Sequence, residues 1–366
     1  MKFLGKKLVV LMAVVLAITS LGGCAGLKNT DVAATVGKVD IPAGVANFYA
    51  RLQEAQYETY YASFMGDDMW STEAEEGKTY EESVKESLLT LLEDMYLLEQ
   101  HAEEYDVTIS DEEKAKIDKA AEEFVNANTL EDKEIVSGDK EYVQKVLELL
   151  TIQSKMDEPM KAGVDEEVSD DEAAQKSMTY LQFTYTMTDA DGQTQQMTDE
   201  EKTAQQETAK TFAKKLKESG STDLEAAAKE AGLEANLSTV TFDSTSTNPE
   251  ADVIKAADAV EKEGNLTDLI TTDYGLYICK VTSFLDREAT DAKKTDIVTE
   301  RKQKQYDDTL AKWREETEIK EHKKVWDKIS FVNQGVTMKQ ETEEPYAVGS
   351  DSTTSADDEA STDTTK

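Results

Sequence analysis

The stretch that most limits what this chain can fold into is Asp273-Tyr274-Gly275-Leu276-Tyr277-Ile278-Cys279-Lys280-Val281. A polar turn centred on Gly275 runs into Leu276 and Ile278 in alternation and then, after a shift, Val281 and Phe284, which reads as the second arm of a β-hairpin. Helix-patterned segments flank it. A strand signal so enclosed marks the core of a small α+β domain inserted in a helical protein.

The surroundings support that reading. Thr179 to Tyr185 alternates as a strand, and Glu200 to Ser219 puts Ala209, Phe212, Ala213 and Leu216 on one helical face before Gly220 stops it. Leu224 to Ala231 is a short helix closed by Gly232, Leu237 to Phe242 a second strand, and Glu250 to Val260 a helix behind Pro249. Leu266 to Thr271 then pairs with Leu276 to Phe284. The order is strand, helix, helix, strand, helix, strand, strand.

The flanks carry helical spacing. Val45, Phe48, Tyr49, Leu52, Ala55, Tyr60, Tyr61 and Phe64 form an aromatic stripe that reads as core, and Glu73 to Lys78 reads as loop. Val84, Leu88, Leu91, Leu92, Met95, Leu98 and Ala102 make the clearest helix. Ser110-Asp111-Glu112-Glu113 is a capping box that starts another, and Glu141 to Met156 is a third. Asp165 to Glu172 is an acidic linker or helix entry. It lacks the ligand spacing and turn glycine of a calcium loop, and Asp189-Ala190-Asp191-Gly192 reads as an exposed turn.

Charge and reactive side chains narrow the function. Lys and Arg number 40 against 77 Asp and Glu, a formal net charge of -37, which disfavours nucleic acid as a partner. Cys279 sits in an apolar strand pattern with no second Cys beside it and reads as a buried, inert thiol. His101 and His322, the only histidines, are too far apart in sequence to suggest a zinc site or a catalytic triad. No metal and no cofactor is expected.

At the other end, Lys2, Lys6 and Lys7 precede the apolar run Leu8 to Ile18, which fits an export leader. Leu21-Gly22-Gly23-Cys24 follows and resembles the bacterial lipobox. That resemblance implies acylation of Cys24, cleavage before it, and a chain tethered to the outer face of the bacterial cytoplasmic membrane. Beyond about Glu341 the chain is rich in Ser, Thr, Asp and Glu and is expected to be disordered.

The layout is similar to the PrsA-type and SurA-type extracytoplasmic foldases. The local matches are Leu97 to Glu113, which looks like the helix pair of their chaperone domain, and Thr272 to Val281 with Glu263-Gly264-Asn265-Leu266, which looks like the closing strand of a parvulin-type prolyl isomerase domain. The resemblance implies an α+β chain: a mostly helical chaperone domain made by N- and C-terminal segments, with an inserted four-stranded antiparallel sheet flanked by helices. The implied bounds are a leader at 1–23, a lipidated tether at 24–33, helical domain at 34–174, parvulin-like domain at 175–286, C-terminal helices at 287–338 and an acidic tail at 339–366.

Parvulins usually carry a histidine in the first strand, another two residues after the hairpin glycine, and a Gly-Gly-Asp-Leu-Gly loop. Here the first of those positions falls at or beside Tyr180, the second is Tyr277, and Glu234 to Val240 holds no such loop. Tyr180 and Tyr277 are the candidate catalytic positions, and Phe242, Val253 and Tyr274 the implied substrate groove. The expected function is a membrane-anchored chaperone for unfolded or newly exported polypeptides, with a weak or inactive isomerase domain. Tyr57, Tyr60, Tyr61 and Phe64 are candidates to touch clients. The alternatives are an active peptidyl-prolyl isomerase, or a solute-binding lipoprotein, which would show two α/β lobes. Oligomeric state is open, a dimer being one option.

Overall fold

The structure, a computed structural model, describes residues 16–18, 26–66, 68–188, 192–233, 237–332 and 335–338. Cys24, the tether up to residue 25, the Asp189 to Asp191 part of the predicted turn and the tail from 339 lie outside them. The chain is α+β and divides into two compact units, one from residues up to Asp157 together with those from Leu310 on, the other from Glu158 to Thr309.

The first unit begins with a three-residue strand β1 (Leu16–Ile18), followed by β2 (Val32–Val36), β3 (Val39–Pro42) and helix α1 (Ala43–Met65). Glu73 to Lys78, read as loop, instead contributes to a small hairpin of β4 (Glu73–Glu75) and β5 (Lys78–Thr79), with Gly77 at φ +76° in the turn. Helices α2 (Tyr80–His101), α3 (Asp111–Ala127), α4 (Leu130–Val136) and α5 (Lys140–Lys161) follow. Their starts are written into the sequence: Thr79, Ser110 and Thr129 each accept from the amide three residues on, and Glu82, Glu113 and Asp132 return the bond. Phe48 meets Phe124 edge-on at 5.1 Å, and Leu92, Met95 and Leu98 of α2 are fully buried.

The second unit holds the four-stranded antiparallel sheet. After the short helix α6 (Asp170–Ala173) come β6 (Lys176–Thr184), the hairpin β7 (Thr186–Thr188) and β8 (Thr194–Gln196), helices α7 (Asp199–Ser219) and α8 (Leu224–Glu230), β9 (Leu237–Phe242), α9 (Ala251–Asp258), β10 (Ile270–Thr271) and β11 (Gly275–Ser283). Spatial order is β10-β11-β6-β9. Both faces of the sheet are covered. Leu181 and Phe183 of β6, with Leu276 and Ile278 of β11, pack under α7 and α8; Met178, Tyr277, Cys279 and Val281 pack with Phe242 and α9. Up to Val281 β11 keeps period two and is apolar on both sides; beyond it the register with β6 breaks between Val281 and Ser283, and Phe284 packs with Val281. Only Ile270–Thr271 of the predicted partner strand pairs fully, with one further bridge from Leu266 to Lys280.

Helix α10 (Arg287–Glu316) closes this unit and continues into the first. The acidic run meets its basic face: Arg301 binds Glu172 at 2.7 Å and the Asp165 carbonyl at 2.8 Å, Lys302 binds Glu166 at 2.6 Å, and Arg287 and Lys294 both bind Asp170. Those two cations hold the Asp170 carboxyl well below the usual range. This pairing ties residues 165–172 to α10 within the second unit, which starts at Glu158. In the first unit, β12 (Ile319–Glu321) joins β2 and β3 in a three-stranded sheet, and α11 (Lys323–Trp326) and β13 (Val336–Met338) are the last elements among the described residues. Among the described residues no helix is long and apolar enough to cross a membrane.

Candidate functional site

In the second unit, β6 and β11 place Tyr277 opposite Gln182 and Cys279 opposite Tyr180. The Tyr180 and Tyr277 rings converge, with centroids 5.7 Å apart. Tyr277 is buried and Tyr180 half-buried. The Tyr277 hydroxyl accepts from Gln182 Nε2 at 2.7 Å, and the Glu250 carboxylate accepts from Thr272 Oγ1 at 2.9 Å. Burial first, and then Glu250, push the phenol well above its ordinary value.

A prolyl isomerase needs no covalent step, only a site that favours the twisted amide by apolar contact and donors aimed at it. Here the Tyr277 hydroxyl is buried and already engaged by Gln182. Cys279, 0 % exposed, is likewise spent on packing, and burial raises its thiol to about 12. The three residues implied as a groove are not brought together: Phe242 and Val253 are fully buried in the core under α9, while Tyr274 stands exposed at the hairpin tip. A shallow concavity of about 400 Å³ lies nearby, lined by residues such as Ala256, Val260, Leu266 and Ile270, and neither tyrosine lines it. Gln182 was legible as the same-face neighbour of Tyr180; the approach of Glu250 and Thr272 was not.

In the first unit the aromatic stripe of α1 divides. Val45, Phe48, Tyr49, Leu52 and Ala55 are core, as read, but Tyr60 is 67 %, Tyr61 50 % and Phe64 90 % exposed. A ladder of rings leads from the interior to this ridge. Phe331 lies 4.8 Å from Trp70, Trp70 stacks on Tyr80 at 5.6 Å, and Tyr57 meets Trp70, Tyr80 and Tyr61 within 6.2 Å. Trp70 and Tyr80, which the periodicity of α1 could not indicate, hold Tyr57 in place, and Glu58 accepts from the Trp70 indole at 2.9 Å.

Beneath the ladder, Arg51 and Glu54 are wholly buried and bonded at 2.6 Å, with the Arg51 guanidinium 5.6 Å from the Phe331 ring. Burial raises the Glu54 carboxyl from 4.5 to about 8, against the opposing pull of Arg51. The folded state thus holds this proton to higher pH than the unfolded chain. Its stabilising contribution is complete below pH 4.5 and is lost as pH rises through about 8. The three tryptophans, Trp70, Trp313 and Trp326, all belong to this unit and report on it alone. The tryptophan-monitored Tm is expected to fall over that window, and Glu54→Gln to flatten the slope; an unchanged slope would show that other groups set it.

The elements define an α+β protein whose small antiparallel sheet is wrapped by helices in one unit and whose other unit is mainly helical. No family model matches the chain, and no curated protein matches it. Among solved structures it is similar to PrsA proteins. The foldase protein PrsA from Lactococcus lactis is 15% identical, with 82% of this chain and 97% of that chain covered and a TM-score of 0.31. The peptidylprolyl isomerase PrsA from Bacillus cereus is 19% identical over 79% of this chain and 91% of that one, TM-score 0.31. PrsA from Bacillus subtilis is 15% identical over 79% and 93%, TM-score 0.21. Values this low carry no activity from those proteins to this one.

Proposed function

We propose that this chain is a chaperone for unfolded, newly exported polypeptides, anchored outside the bacterial cytoplasmic membrane through acylated Cys24, and that its sheet domain is a parvulin-like insert without isomerase activity. The observation that carries the reading is the exposed ridge Tyr60, Tyr61 and Phe64 on α1. Large apolar groups held in water by a rigid helix suit contact with apolar client segments. The acidic surface keeps such a ridge from driving self-association, since like-charged copies repel. The lipobox resemblance of Leu21 to Cys24 supports the anchor. The burial of Tyr277 and the contact of Gln182 with its hydroxyl support the loss of catalysis. The domain arrangement proposed is the one implied by the foldase resemblance, with N- and C-terminal segments making the helical chaperone part. Neither unit shows the strand-helix repeats of a solute-binding lobe among the described residues.

The test is light scattering from an aggregating exported protein. Equimolar chain is expected to suppress scattering, and the triple variant Tyr60→Ser, Tyr61→Ser, Phe64→Ser to lose more than half of the effect. No suppression by the parent chain sinks the chaperone reading. In parallel, isomerisation of proline tetrapeptides is expected at the uncatalysed rate; acceleration that Tyr277→Phe removes would establish an isomerase instead.

A further inference from the structure

Strand β13 is held on α1 by one edge: the Met338 amide donates to the Thr59 hydroxyl at 3.0 Å, and Val336 is fully buried. Its other edge carries β1, antiparallel, with Leu16 opposite Met338, Ala17 opposite Thr337 and Ile18 opposite Val336. Backbone groups alternate in direction along a strand, so with the Met338 amide turned to Thr59 it is Thr337 whose amide and carbonyl face Ala17. β1 also lies against α4. The occupant of this edge is the end of the apolar run Leu8 to Ile18, the segment read as a leader that is cut off before Cys24. Processing would remove β1 and keep β13. Immediately past Thr59 on the same helix stand the exposed Tyr60, Tyr61 and Phe64.

We infer that the β13 edge is a strand-addition site for an extended apolar segment of an unfolded polypeptide, closed by the leader in the precursor and opened when the leader is removed. This rests on the leader and chaperone readings above and adds the mode of binding. Main-chain pairing does not depend on client sequence, and the aromatic ridge beside it supplies apolar contact, a combination that suits many clients. The seated segment shows the chemistry the edge accepts: extended, apolar and uncharged. A tethered leader competes at an effective concentration in the millimolar range, so the precursor is self-blocked.

The experiment compares the full precursor with the processed chain starting at residue 24, carrying Cys24→Ser so that it stays unacylated. The probe is a fluorescein-labelled peptide with the sequence Val14-Val15-Leu16-Ala17-Ile18-Thr19 between lysine pairs, followed by anisotropy. The processed chain is expected to bind it at least about tenfold more tightly than the precursor, and N-methylation of the peptide's central alanine to weaken binding about tenfold. Both peptides carry the same lysines, so attraction to the acidic surface cancels in the comparison. Equal binding by both forms, tolerance of N-methylation, or a processed chain that dimerises and ignores the probe overturns the inference. Suppressed aggregation together with tolerance of N-methylation leaves the chaperone reading standing and removes strand addition. Methylation-sensitive binding without suppression keeps the edge and removes the chaperone.

Discussion

An Arg51→Ala variant is expected to lose about 4 kcal/mol of stability in the first unit, lowering its tryptophan-monitored Tm by roughly 10 °C. Arg51 and Glu54 are both 0 % exposed, and Glu54 Oε1 has no hydrogen-bond partner among the described residues. Removing the guanidinium takes away the bond at 2.6 Å, the contact with Phe331, and the only opposing pull on a carboxyl already raised by burial. It also leaves a cavity where one of the largest buried side chains stood. Glu54→Gln is expected to cost far less, about 1 kcal/mol, because the amide oxygen still accepts from Arg51 and a neutral amide replaces a carboxyl that stays protonated up to about pH 8. Chemical denaturation followed at the tryptophans separates the two variants. Equal losses would show that volume, and not charge, sets the cost.

Gly275→Ala is expected to destabilise the second unit by about 3 kcal/mol. At Gly275 φ is +156°, and a Cβ there would stand 2.5 Å from the Phe183 carbonyl oxygen and 3.1 Å from the Thr184 Cα. Those are backbone atoms of the paired central strand, which cannot swing aside as a side chain does. Relief requires β11 to move off β6, and that pairing joins the two faces of the core. Gly264→Ala is the control: its φ is +81°, but nothing lies within 4 Å of the added Cβ, so only backbone strain of about 1 kcal/mol is expected. Unfolding followed by ellipticity, with tryptophan fluorescence recorded alongside, places the loss in the second unit. Equal effects of the two substitutions would show that φ alone, and not the close approach to β6, governs position 275.

Much of the fold lay open to local reading because local chemistry dictates it. The strand and helix order of the insert, the Ser110 cap and the buried inert thiol of Cys279 each follow from a few neighbouring residues. Thr79 with Glu82, Thr129 with Asp132, and Thr198 with Glu201 are the same capping signal as Ser110 with Glu113, equally legible though not singled out. The hairpin of β4 and β5 escaped because strands of two or three residues, with Ala74 their one apolar side chain, have no apolar alternation to betray them. The partition of the α1 aromatics escaped for a different reason: helical spacing shows that residues share a face, but only the reach of neighbouring helices decides where that face meets water.

The division holds for the candidate sites. By itself the sequence placed Tyr180 and Tyr277 in strand-patterned segments, marked Asp273 to Val281 as a hairpin arm, and set Lys2, Lys6 and Lys7 ahead of the apolar run Leu8 to Ile18. These are properties of residue identity and short-range spacing. Only the tertiary structure decided that Glu250, 27 positions before Tyr277 in the chain, comes near enough to help push its phenol up. It likewise decided that Tyr60, Tyr61 and Phe64 face solvent and that Leu16–Ile18 lies on β13. Such facts depend on segments remote in sequence meeting in space, and no local pattern encodes which remote partner will arrive.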